Sequence, residues 1–373
     1  MWIKHNRRLL GKVLLLLVIL LIVGVSVSGC YGRSQPGGWS GAIIADDTLF
    51  IASVEGKLIA LNTSDGGRLW EVPLGTSSVA VYGTPAVAGD LVFVGGYNGK
   101  VYAISSSVGA KRQVYPVDAN LEPIVSGVVA AGGRVYFGCS DGKVYALNAA
   151  ELYEEWEFQT GDKIWSTPVI DGETIYIGSF DKKLYALNAI DGSKKWEFET
   201  GGAIASTPLV YNNTVYIGSF DRYLYAIDAN SGSLRWRSEV EAGRWFWAKP
   251  VAYNNVIYAP NLDGKVYILD ANTGREVVGA VDLGSPISSS PVVVGDKVII
   301  ATEEGKVYSL DASNNQPGLL IDVGDDGQKI YGLLSASDGV VYIHAQASKQ
   351  DTLYAVNAET GLEVWRPVSL SSK

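Results

Sequence analysis

From residue 39 onward the chain alternates short, nearly continuous apolar runs with brief polar turns, and one order of runs recurs eight times. The clearest register is a six-residue strand, usually opening on lysine: 57–62, 100–105, 143–148, 183–188, 223–228, 265–270, 306–311 and 352–357. Successive copies begin 43, 43, 40, 40, 42, 41 and 46 residues apart. Blade four shows the full template. An inner strand at 165–170 is followed by a turn at Asp171-Gly172 and a second strand at 174–178. A tight turn at Asp181-Lys182 leads to 183–188, and Asp191-Gly192 turns into an outer strand at 195–198. Asx-Gly pairs such as Asn98-Gly99, Asp141-Gly142 and Asp263-Gly264 are hairpin turns because both central residues tolerate positive φ. Four short strands per unit of about 40 residues mark a propeller blade. The pattern predicts an all-β, eight-bladed β-propeller of four-stranded antiparallel blades over residues 39–373.

A lone blade would leave apolar runs such as Pro291–Val294 exposed on both faces; stacking blades around an axis covers them and removes most free edges. Tryptophan recurs four residues after a turn glycine at Trp70, Trp196, Trp236 and Trp365, and Trp156 holds the same place without the glycine. These five indoles are expected to dock blade against blade, each contributing a few kcal/mol when buried. Blade two has Gln113 there, blade six has Val278 and blade seven lacks the motif, so looser junctions are expected. Chain and blades run in phase, ending with an outer strand at 363–368, so closure is expected to rest on packing of blade one against blade eight.

The first 29 residues do not follow the repeat. Lys4, Arg7, Arg8 and Lys12 precede an apolar stretch from Val13 to Val27, then Val27-Ser28-Gly29-Cys30. Fifteen apolar residues suit a signal peptide better than a spanning helix, which needs about 20. Small residues before a cysteine resemble a lipobox, which implies lipidation and cleavage at Cys30. The alternative is an uncleaved anchor. Both place the propeller outside the cytoplasm on a membrane (cell membrane or outer membrane), with 30–38 as a tether.

The chain carries −9; loss of a leader with four basic residues and no acidic one leaves −13. Such a balance disfavours nucleic acid. Past Cys30 the sole cysteine is Cys139, so no internal disulfide is available. Past His5 the sole histidine is His344, which removes the usual imidazole-based catalytic and metal arrangements.

The runs Ala229-Asn-Ser-Gly-Ser-Leu-Arg-Trp236 and Ala358-Glu-Thr-Gly-Leu-Glu-Val-Trp365 resemble the tryptophan-docking repeat of PQQ-like propellers. That family holds quinoprotein dehydrogenases and non-enzymatic scaffolds, and this layout is similar to that of BamB-type outer-membrane assembly lipoproteins. The dehydrogenases typically carry an adjacent cysteine pair and long inter-blade insertions, both absent here. The expectation is therefore no catalytic residue, no cofactor and no metal. The chain reads as a monomeric scaffold binding protein partners in the cell envelope, with a PQQ-dependent dehydrogenase or ligand-binding sensor ectodomain as the alternative.

Three residues before each blade's proline position stand Trp39, Tyr82, Ile124, Trp165, Ala205, Trp247, Ser288 and Tyr331. Five are aromatic, at the point where inner strands enter the central channel. Arg244, Trp245 and Phe246 crowd beside Trp247, and Lys249 replaces a usually small residue. These rings either plug the channel mouth or form an amphipathic binding rim, since tryptophan, tyrosine and arginine concentrate binding energy. The same face carries charged turns such as Asp181/Lys182 and Asp221/Arg222, read as solvated turn chemistry or as a polar rim.

Overall fold

The computed structural model describes residues 38–76, 79–324, 327–347 and 350–371. The leader, Cys30 and all but the last residue of the expected tether lie outside the described residues. The described residues form eight four-stranded antiparallel sheets, each built from four consecutive strands. Blade one comprises Ile43–Ala45, Thr48–Ala52, Lys57–Asn62 and Arg68–Pro73; blade four Val169–Asp171, Thr174–Gly178, Lys183–Asn188 and Lys194–Glu199; blade eight Ser335–Ser337, Val340–Ala347, Gln350–Asn357 and Val368–Ser369.

The two middle strands of a blade are sandwiched between neighbouring blades, which is why they read as unbroken apolar runs. In blade four, Ile175 to Gly178 and Leu184 to Leu187 are all buried, whereas the outer strand Lys194–Glu199 alternates exposed and half-buried positions.

Two strand boundaries differ from the sequence reading. The inner strand of blade four begins at Val169 rather than at Trp165. Pro168 lacks an amide hydrogen, and residues 166–167 bond to the flanking blades instead: Ser166 Oγ donates to the Ser206 carbonyl (2.9 Å) and Thr167 Oγ1 accepts from Gly127 N (2.8 Å). Blade eight's outer strand is only Val368–Ser369, preceded by one bridge between Glu363 and Val356; Pro367 offers the ladder no donor between them, and blade six has the same short form, Val281–Asp282 after a Leu269–Glu276 bridge.

The tryptophans lie at blade junctions, but each meets the glycine of the following blade rather than its own. A Cβ on Gly109 would come within 2.8 Å of Trp70, on Gly192 within 2.6 Å of Trp156, on Gly232 within 2.7 Å of Trp196, on Gly274 within 2.4 Å of Trp236 and on Gly66 within 2.9 Å of Trp365. Each indole N–H donates to a carbonyl of that same turn: Ser106, Ala189, Ala229, Ala271 and Thr63 respectively, at 2.9–3.2 Å. The missing glycine in blade three is thereby explained. Leu152 occupies it at φ +50, opposite blade two, whose outer strand has Gln113 at the tryptophan register.

Blade one and blade eight share no sheet. Trp365 packs into a core with Leu49, Ile51, Ile59 and Leu61 of blade one. Polar bonds cross the same seam: Gln346 Nε2 to the Gly38 carbonyl (2.7 Å), Ser335 Oγ to the Ala42 carbonyl (2.5 Å) and Val54 N to Asp351 Oδ2 (2.8 Å). His344 lies at its centre, its Nδ1 2.8 Å from the Ser40 carbonyl and its Nε2 3.1 Å from Asp351 Oδ2. His344 is thus part of the ring's closure.

Candidate functional site

One residue past each rim position the inner segment often carries a fully buried serine: Ser40, Ser126, Ser166, Ser206 and Ser289. Ser40 Oγ reaches the Gly83 carbonyl (3.1 Å), Ser166 Oγ that of Ser206 and Ser206 Oγ that of Ala248 (3.0 Å). These bonds tie successive inner segments together and hold the preceding side chains at the channel.

A central cavity of about 630 Å³ is lined by residues from all eight inner segments, including Trp39, Tyr82, Val125, Trp165, Ala205, Trp247, Ser288 and Tyr331. The strand register corrects one member of the predicted ring. Ala131 pairs with Arg134 as Asp171 pairs with Thr174, so the blade-three equivalent of Trp165 is Val125. Ile124 belongs to the row before it, with Ile164, Ile204, Ile287 and Ile330, all with no exposed surface. Phe246 falls in that same buried row, only 2% exposed and packed edge-on against Tyr267 (5.6 Å). It wedges blades five and six and does not belong to the rim.

The remaining rings form two clusters. On blades one, two and eight, Trp39 meets Tyr82 edge-on (4.4 Å) and Tyr331 at 5.9 Å, and Tyr82 meets Tyr97 at 5.4 Å. Burial pushes the Tyr82 phenol up to about 12, so it remains a neutral hydroxyl. On blades four to six, Trp165 meets Phe180 (4.7 Å) and Trp247 (6.2 Å). Phe220 stacks on Trp245 (4.5 Å, 11°) and lies 6.0 Å from Trp247. Lys163 Nζ sits 4.6 Å from the ring centres of both Trp165 and Phe180, a cation–π contact. Trp245 and Tyr97 stay open to solvent, 49% and 45% exposed, and Arg244 is exposed beside Trp245. A smaller pocket of about 210 Å³ adjoins, bounded by Trp39, Trp247, Leu262, Ser288, Glu303 and Tyr331.

Tyr97, Phe180 and Phe220 were not singled out from the sequence. They occupy one repeat position, the turn between second and third strands, and Gly-Ser-Phe-Asp at 178–181 and 218–221 was the available signal. The adjacent acids serve the turn rather than a charged rim. Asp221 Oδ1 accepts from Tyr223 N (3.1 Å), while Oδ2 accepts from Tyr225 Oη (2.6 Å) and Gly201 N of the preceding blade (2.7 Å). Asp181 repeats the set with Lys183 N, Tyr185 Oη and Gly161 N.

Lys249 lies two residues past Trp247 and lines the cavity rather than the outer rim. Burial lowers its pKa. Cys139 is buried, its Sγ 3.2 Å from the Glu122 carbonyl, and burial pushes the thiol up to about 12, so it is a packing residue and not a nucleophile.

Eight four-stranded blades, inter-blade tryptophan docking and a cavity on the ring axis define a PQQ-like β-propeller. Residues 31–166 and 153–367 match the family of outer membrane protein assembly factor BamB, and the chain belongs to that family. The crystal structure of BamB from Moraxella catarrhalis is similar, with a TM-score of 0.71 and 19% identity over 83% of this chain and 94% of that one. The computationally designed Ika8 protein is also similar, with a TM-score of 0.73 and 15% identity over 87% of this chain and 98% of that one. At these identities the two structures speak for the fold alone. Comparison with curated proteins gave no match.

Proposed function

We propose that this chain is a scaffold that holds a protein partner on the aromatic mouth of its channel, in the service of membrane-protein assembly at the cell envelope. The observation that carries the reading is the pair of aromatic clusters across one cavity mouth, with Trp245 and Tyr97 left open to solvent. A stable fold gains little from exposing an indole, whereas an interface gains from a rigid aromatic anchor. The family's description, outer membrane protein assembly factor, favours a polypeptide occupant in extended form. A lipid on Cys30 would hold the ring at the membrane where such a partner arrives.

The test is capture of partners by cross-linking in native membranes, comparing the native chain with Trp165→Ala/Trp247→Ala. Loss of both rings should weaken capture at least tenfold while the thermal unfolding midpoint moves by only a few degrees. Undiminished capture by a folded double variant would reject the mouth as the docking site. Titration with pyrroloquinoline quinone and calcium, read by absorbance and dye-linked oxidation, tests the dehydrogenase alternative in the same preparations.

A further inference from the structure

Lys249 is the sole charged side chain lining the central cavity among the described residues; the titratable groups sharing that lining are Tyr82 and Tyr331. Its backbone N–H bonds to Ser290 Oγ (3.0 Å), but its ammonium has no hydrogen-bond or ion-pair partner among the described residues. Glu303 lines only the adjoining smaller pocket. A cation held in a confined site without a counter-charge is costly, so such a group either gives up its proton or finds an anion. The chain is acidic, at −9 overall, yet among the described residues no carboxylate lines this cavity.

The hydroxyls around Lys249 are arranged as donors. At the repeat position of Lys249 stand Thr84, Thr167, Thr207 and Ser290, all lining the cavity. Thr167 Oγ1 and Ser290 Oγ already accept backbone N–H bonds, which leaves their hydrogens to give. Ser288 also belongs to the lining, and its buried Oγ has no hydrogen-bond partner among the described residues. One positive charge, several hydroxyl hydrogens, apolar walls at Val129, Val169 and Leu333, and indole faces at the mouth suit a monoanion with an apolar body. A phosphate dianion would be left half-neutralised. A carboxylate matches in charge and is small enough to sit among the hydroxyls.

We propose that the central cavity is a carboxylate-binding site, with Lys249 as its counter-charge and the threonine and serine hydroxyls as its donors. This deepens the scaffold reading by naming the chemistry that the mouth admits: an acidic side chain of an extended partner, or a free small carboxylate with an apolar tail.

The experiment follows the fluorescence of the full chain, whose Trp39, Trp165 and Trp247 line the cavity. The probes are 3-phenylpropionate and its neutral amide, and the peptide acetyl-Val-Tyr-Val-Glu-amide with its Gln counterpart. Lys249→Thr is the test variant, because threonine fills the equivalent place in blades four and five and the fold tolerates it there; Lys249→Arg is the rescue. At least one acid should bind tenfold or more tighter than its neutral partner. Lys249→Thr should abolish that preference and Lys249→Arg restore most of it. Preference confined to 3-phenylpropionate assigns the site to a free ligand, and preference confined to the Glu peptide assigns it to a partner's side chain. Equal binding of acid and neutral forms, or a preference that survives Lys249→Thr, overturns the proposal. Partner capture that persists in Lys249→Thr but is lost in Trp165→Ala/Trp247→Ala would leave the scaffold reading standing without this site.

Discussion

At the residue scale, the ring is organised by which small residue faces which large one. An indole lies flat on the next blade's turn only where no Cβ intervenes, so tryptophan in one blade and glycine in the following blade act as one unit. Gly192→Ala should therefore cost about 2–4 kcal/mol, since it places a methyl against the rigid Trp156 ring and forces an L-residue at φ +72. Leu152→Gly should also destabilise, by about 2–4 kcal/mol, because Leu152 is a buried side chain packed with Val135 and Leu147, and relief of its positive φ (+50) offsets only part of the cavity left behind. Urea unfolding of the two variants checks the pair. An unchanged midpoint for Gly192→Ala would contradict the docking geometry. The sequence displayed the tryptophans and glycines plainly, but pairing within one blade is the natural reading of a linear motif. The true partner is one repeat downstream, a relation that only blade stacking creates.

At the element scale, the turn between second and third strands does two jobs with adjacent residues. In blades four, five and six its acid fastens the turn to its own blade and to the blade before, and the mouth-side neighbour differs from blade to blade, as Phe180, Phe220 and Leu262, with Tyr97 beside Asn98 in blade two. Burial and the neighbouring Asp221 carboxylate push the Tyr225 phenol up to about 12, so its hydroxyl stays a donor across the working range. Asp221→Ala should cost about 2–4 kcal/mol by orphaning that hydroxyl together with two backbone N–H groups, and Asp221→Asn should recover part of it. Calorimetry of both variants tests this, and a cost below about 0.5 kcal/mol for alanine would mean the carboxylate is merely solvated. Strand order, turn positions and the tryptophan rows were legible from periodicity alone. The inner-strand start was not, because Pro168 and the serine bonds divert the segment to neighbouring blades. Ile124 and Phe246 were misplaced for a related reason: apolar residues side by side show no alternation, and the register that separates buried from channel-facing positions is set by pairing with the second strand.

At the scale of the whole molecule, closure without a shared sheet places unusual weight on the blade-one to blade-eight seam. Both His344 nitrogens face oxygen atoms across the seam, the Ser40 carbonyl and the Asp351 carboxylate. Burial works to raise the Asp351 pKa, but hydrogen bonds from His344, Ser371 and Val54 outweigh it and hold the carboxyl below its ordinary value. A depressed carboxylate adds stability above its unfolded-state pKa of about 3.9 and loses it as pH falls through the lower folded value. Stability should thus fall more steeply between about pH 4 and pH 2 in the native chain than in Asp351→Asn, as followed by urea midpoints across that range. Parallel profiles would contradict a pH-linked seam. Asp351→Ala, which leaves His344 Nε2 and Val54 N without their carboxylate partner in the core, should cost about 3–5 kcal/mol.

The central claim is that the aromatic channel mouth, and no other face, meets the partner. A photoreactive residue at Trp245, on the mouth, should cross-link a polypeptide in native membranes. One at Leu234, which is as exposed (49%) but sits on the outer strand of blade five, should give little. Equal or stronger cross-linking from Leu234 would contradict the account.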